Sequence, residues 1–94
     1  MNEDLLLELY TRPSCSDCQA AKEYLAEENI DYIDKNVGED QSFEEEMKEL
    51  SGSRIVPFFA FYKKGLLGRK RPVKNLIGFE VNRKEIEQLV GKIK

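Results

Sequence analysis

Cys15-Ser16-Asp17-Cys18 is the stretch of this sequence best equipped for chemistry. Two cysteines three positions apart on a helix project from one side and lie close enough to bridge. The first, at the helix start, faces unpaired amides and the positive end of the macrodipole, so its thiolate is favoured. The second, one turn in, lacks free amides and is expected to be the more buried and less acidic thiol. Such a pair suits exchange, with one sulfur built to attack and the other to resolve. Core filling is a poorer account, because a first-turn cysteine is not at a core-facing position. Zinc is poorer still, since one CxxC gives two ligands and neither a second pair nor a histidine completes a tetrahedron. The lack of histidine also excludes Ser-His and Cys-His nucleophile pairs.

The rest of the chain must position these sulfurs. Its 94 residues suit one domain over 1–94, and 40% hydrophobic with 35% charged is the balance of a soluble globular protein. A net charge of −3 argues against nucleic acid as a partner. The apolar runs are too short for a membrane span. The acidic opening Met1-Asn2-Glu3-Asp4 does not resemble a signal peptide, which leads to the expectation of a cytoplasmic location. Acid is concentrated in 39–49, with Lys48 the one base there. Base is concentrated in 63–74, where Lys63, Lys64, Arg69, Lys70, Arg71 and Lys74 meet no acid.

Periodicity gives the order β-α-β-α-β-β-α. Leu5 to Tyr10 reads as a strand buried on both faces, and a helix starting at Ser14 or Cys15 stripes Cys18, Ala21, Tyr24 and Leu25. Ile30 to Asp34 reads as a short strand. Ser42 with Glu45 forms a capping box for a helix with Phe43, Met47 and Leu50 inside, stopped near Gly52. Phe58 to Tyr62 is a second apolar strand, Lys63 to Asn75 a polar connection, and Leu76-Ile77 a returning strand. Asn82 with Glu85 repeats the capping box ahead of a helix burying Ile86, Leu89, Val90 and Ile93. This is an α/β domain, with a parallel βαβ half followed by an antiparallel hairpin and a closing helix.

The segment Leu9-Tyr10-Thr11-Arg12-Pro13-Ser14-Cys15-Ser16-Asp17-Cys18 resembles the active-site segment of the glutaredoxins, within the thioredoxin superfamily. The resemblance continues at Ile55-Val56-Pro57 and at Gly78-Phe79. It implies a thioredoxin-like four-stranded mixed sheet flanked by three helices. It further implies a thiol-disulfide oxidoreductase with Cys15 and Cys18 catalytic, and no bound metal or organic cofactor. Pro57 would follow a cis peptide bond and present the Val56 backbone to an extended substrate. Arg12 would support the thiolate and pair with a glutathione carboxylate, and Gly78 would let glutathione approach. With Phe79 and Glu80, these complete the expected substrate-binding set. The partners implied are disulfide-containing proteins, with glutathione or a flavin disulfide reductase as electron source, glutathione being preferred, and the chain is expected to be a monomer.

Several positions depart from that pattern. Ser16-Asp17 replaces the usual Pro-aromatic pair, and the Asp17 charge is expected to oppose a nearby thiolate. Ile55 stands for the common threonine, and Glu80-Val81 for an acidic pair. Two other functions share these features. Some glutaredoxins carry an iron–sulfur cluster between two protomers, and the first thirty residues also resemble arsenate-reductase-like transcriptional regulators that use CxxC as a redox sensor. The basic 63–74 segment is expected to be a solvated loop far from the cysteines.

Overall fold

A computed structural model describes residues 5–65 and 69–93. The strands are β1 (Leu5–Thr11), β2 (Ile33–Asn36), β3 (Phe58–Lys64) and β4 (Lys70–Ile77); the helices are α1 (Ser16–Glu27), α2 (Gln41–Ser51) and α3 (Arg83–Ile93). The sheet order is β2-β1-β3-β4, with β1 and β2 parallel and the other neighbours antiparallel. This is the thioredoxin-like mixed sheet expected.

Strand alternation sorts the apolar side chains into two layers. Leu5, Leu7 and Leu9 of β1 join Phe59 and Phe61 of β3 on one face, covered by Ala21 and Leu25 of α1 and by Ile86, Leu89 and Val90 of α3. Tyr10, Phe58, Ala60 and Tyr62 form the other face, under Met47 and Phe43 of α2. Phe58, Phe59 and Phe61 are wholly buried, each contributing about 2–3 kcal/mol of apolar burial. α2 is one helix facing four strands, so part of that face is closed by charge instead. Glu8, 4% exposed, is buried there against Lys35 and Lys70.

Several local expectations are corrected, and Leu50, expected on the inner face of α2, is exposed. The second strand begins at Ile33 rather than Ile30. Asn29, with φ 57°, reverses the chain after α1, and Ile30 donates its N–H to Leu25 O at 2.9 Å while its side chain joins the core. Ile30 therefore closes a helix rather than opening a strand. The cap of α2 is Asp40, accepting from the Ser42 amide at 2.9 Å and the Ser42 hydroxyl at 2.7 Å, so Ser42 is not the cap. Gly52 ends α2 in the left-handed conformation, φ 73°, as expected.

Asn82 caps nothing with its side chain. It lies in a 3₁₀ turn, Glu80–Asn82, that runs into α3, and its amide donates to Ile77 O at 2.7 Å and Gly78 O at 3.0 Å. The basic connection is mostly strand: β3 continues to Lys64, β4 starts at Lys70, and Lys64 pairs with Lys70. Leu66 to Gly68, within that connection, lie outside the described residues. A bulge between Phe61 and Tyr62 moves the pairing from Lys74 to Pro72 and skips Val73. No helix among the described residues is long and apolar enough to cross a membrane.

Candidate active site

The end of β1, the start of α1, the start of β3 and the segment after β4 meet at one corner of the domain. Thr11 is fully buried, its hydroxyl donating to Asp34 at 2.8 Å, so the turn that follows begins from a fixed point. Cys15 is the N-cap of α1, in extended conformation with φ −101° and ψ 112°, and its Sγ accepts the Cys18 N–H at 3.1 Å. The cysteines are joined as a disulfide across 5.2 Å between Cα atoms. Cys15 is half-buried, whereas Cys18 is 0% exposed within the α1 stripe that faces the core. The two sulfurs are therefore unequal in access and in hydrogen bonding, in the sense the sequence predicts.

Val56-Pro57 is a cis peptide. The Val56 carbonyl oxygen lies 3.9 Å from Cys15 Sγ, and the Pro57 carbonyl accepts the Gly78 N–H at 2.8 Å. The segments around Pro57 and Gly78 are thus tied together beside the disulfide. Gly78 has φ 95°, and a Cβ there would meet Val81 Cγ2 at 2.8 Å. Its glycine is required by the local backbone.

The remaining predicted binding residues are placed less simply. Arg12 is ion-paired through Nη2 to Glu44 of α2, both side chains partly buried. The Phe79 ring is 0% exposed and stacks with Phe59 at 6.2 Å, so that side chain belongs to the core and its backbone amide alone faces the corner. Glu80 is exposed and pairs with Arg83 at 3.2 Å.

Asp17 is the residue most changed by the structure. Its carboxylate does not turn to the Cys15 sulfur. Oδ2 accepts the Phe79 N–H at 2.8 Å and Oδ1 the Glu80 N–H at 3.3 Å. Sequence reasoning missed this bond, Glu44 as the partner of Arg12, and Asn82 as the clamp on Ile77 and Gly78. No local signal marked the bond of Asp17, because its donors come from a segment remote in the chain.

Comparisons with known proteins agree with this geometry. The glutaredoxin family model matches residues 7–60. An uncharacterised glutaredoxin-like 8.6 kDa protein of Clostridium pasteurianum, from a rubredoxin operon, is 42% identical over 52 residues, covering 55% of this chain and 69% of that one. The global transcriptional regulator Spx 2 of Bacillus cereus is 43% identical over 42 residues, covering 45% of this chain but 32% of the regulator. A glutaredoxin from Archaeoglobus fulgidus superposes with a TM-score of 0.62 at 22% identity, covering 94% of this chain and 86% of that one. A Plasmodium falciparum thioredoxin does so at 0.67 and 20% identity, covering 99% and 74%. The fold and the cysteine pair support thiol-disulfide redox chemistry. The chain belongs to the glutaredoxin family.

Proposed function

We propose that this chain is a dithiol oxidoreductase that reduces disulfides in other proteins. The observation that carries the reading is the inequality of the two cysteines: Cys15 is half-buried and its Sγ accepts an amide at 3.1 Å, while Cys18 is 0% exposed. When the pair is reduced, that amide and the start of α1 stabilise Cys15 as thiolate. The thiolate attacks one sulfur of the substrate disulfide, and the other leaves as thiolate and takes a proton. Cys18 loses its proton and attacks Cys15 Sγ. The Cys15–Cys18 bridge forms, the substrate's second thiolate departs, and two electrons have passed to the substrate. The Val56 backbone, 3.9 Å from Cys15 Sγ, aligns the substrate chain as a short added strand. Two external thiols, or one dithiol of a flavin disulfide reductase, return the bridge to the reduced state.

The experiment is catalytic reduction of insulin disulfides by the purified chain, with a dithiol regenerant in excess. Turnover well above one equivalent per chain is expected, and a single stoichiometric exchange would defeat the reading. A redox-sensing module is the second reading, favoured by the 43% identity to the regulator Spx 2 over 42 residues. It predicts that stoichiometric outcome.

A further inference from the structure

The groups on the segments flanking the disulfide that could receive a carboxylate from outside are the Arg12 guanidinium and a pair of adjacent backbone amides. Each is already matched by an acid of the chain itself. Asp17, lying between the two cysteines, bonds the amides of Phe79 and Glu80 at 2.8 and 3.3 Å. Arg12 is held by Glu44. Main chain and apolar surface remain open. Among the described residues the Val56 N–H has no hydrogen-bond partner, and its carbonyl has the disulfide sulfur of Cys15 as its neighbour. Ile55, next to it, is 61% exposed, and Val81, packed over Gly78, is 84% exposed.

We propose that Asp17 is a specificity residue: its carboxylate occupies the Phe79 and Glu80 amides, so the site turns away anionic small thiols such as glutathione and takes cysteines presented on protein main chain. This rests on the thiol-disulfide reading above and deepens it. An incoming carboxylate reaches those amides only if Asp17 swings out, giving up two charge-assisted bonds and leaving its own charge beside the newcomer. The tethered acid competes at an effective concentration at or above the millimolar range, matching the concentration of a cellular small thiol. A protein dithiol does not need the amides. Its main chain pairs with Val56 and its neighbouring apolar side chains meet Ile55 and Val81. Its first thiolate attacks Cys15 Sγ and Cys18 leaves as thiolate, gaining a proton. Its second thiol, losing a proton, then displaces Cys15, so the reductant carries away the disulfide and the chain keeps both electrons.

The test measures how fast glutathione, its diethyl ester and dithiothreitol each open the Cys15–Cys18 bridge of the pre-oxidised full chain, scored by alkylation and mass. For wild type the glutathione-to-ester rate ratio is expected to be one or lower. Asp17→Ala should raise that ratio about fivefold. Asp17→Asn keeps an acceptor at the amides while losing the charge and should give a smaller rise. An unchanged ratio in Asp17→Ala overturns the proposal, and so does an equal rise in both variants, which would reduce the effect to charge alone. Should Asp17→Ala fail to fold by circular dichroism, wild type and Asp17→Asn still decide. A wild-type ratio several-fold above one, or no rise in Asp17→Asn, is then fatal. Insulin turnover is scored separately, so absence of protein reduction with a normal ratio pattern would count against the function and not against Asp17.

Discussion

Glu8 Oε1 accepts from Lys35 Nζ at 2.9 Å across the parallel β1–β2 pair, with the Glu8 side chain 5% exposed and Lys35 13%. Lys70 bonds the other Glu8 oxygen from β4, and Lys35 also meets Glu46 of α2. Glu8 thus links three strands, and Glu46 extends the network to a helix.

This cluster makes stability depend on pH. Burial opposes ionisation of Glu8, but the hydrogen bonds and charges of Lys70 and Lys35 outweigh it and hold the carboxyl below its ordinary 4.5. Glu46 is lowered likewise, by Lys35 and by the Tyr10 hydroxyl against its own desolvation. A folded-state pKa below the unfolded one adds stability at pH values above the unfolded pKa, and that stability is lost as pH falls through the folded value. Glu8→Gln should cost about 2 kcal/mol at neutral pH, and its deficit should shrink steadily below about pH 5. Urea melts across pH measure this; parallel stability curves for the two proteins would contradict it.

Substitution should separate the cysteines. Cys15→Ser is expected to abolish disulfide turnover. Cys18→Ser should retain the first attack and accumulate a mixed disulfide with protein substrate, visible as an adduct by mass. In reduced wild type, iodoacetamide at neutral pH should label Cys15 about tenfold faster than Cys18. Faster labelling of Cys18 would reverse the assignment.

Gly78→Ala should destabilise the corner itself. Its φ of 95° strains any side chain, and the new Cβ meets Val81 at 2.8 Å. A cost of about 2 kcal/mol is expected, lowering Tm by roughly 10 °C. Adding Val81→Ala should recover part of that loss. Complete recovery would show that the backbone contributes nothing.

The basic hairpin should be dispensable for chemistry. β3 runs from Phe58, next to Pro57, to Lys64, which pairs with Lys70. Six steps at about 3.3 Å place Lys64 roughly 20 Å from Phe58. Neutralising Lys63, Lys64, Arg69 and Arg71 together should leave turnover on small disulfides within about twofold of wild type. Lys70 is kept because it holds Glu8. A tenfold loss would move the hairpin into the site.

The sequence revealed what repeats or is chemically rare. The spacing of Cys15 and Cys18, the apolar runs of β1 and β3, and Pro57 ahead of β3 were enough for the fold and for the inequality of the sulfurs. It hid what depends on distant partners. Nothing near Asp17 in the chain announces amides 62 residues away, and nothing near Arg12 points to Glu44. β4 was obscured because Lys70 to Asn75 are all exposed, so no apolar alternation marks them as strand. Ile30 misled for the opposite reason, being an apolar residue next to a strand but used to seal a helix end.

The bulge that skips Val73 bears on how the molecule behaves in a crowd. It lies on β4, an outermost strand carrying exposed Lys70, Arg71 and Lys74 and a proline without an amide hydrogen at position 72. The opposite border, β2, is four residues long. Such rims are poor templates for edge-to-edge pairing, because charge, a missing donor and broken register each penalise a docking strand. On the proposed function, in which the Val56 backbone pairs with foreign chains, these two rims protect the molecule against fibrillar self-association. On that reading, pairing with foreign strands falls to the segment beside the disulfide and not to the borders of the sheet.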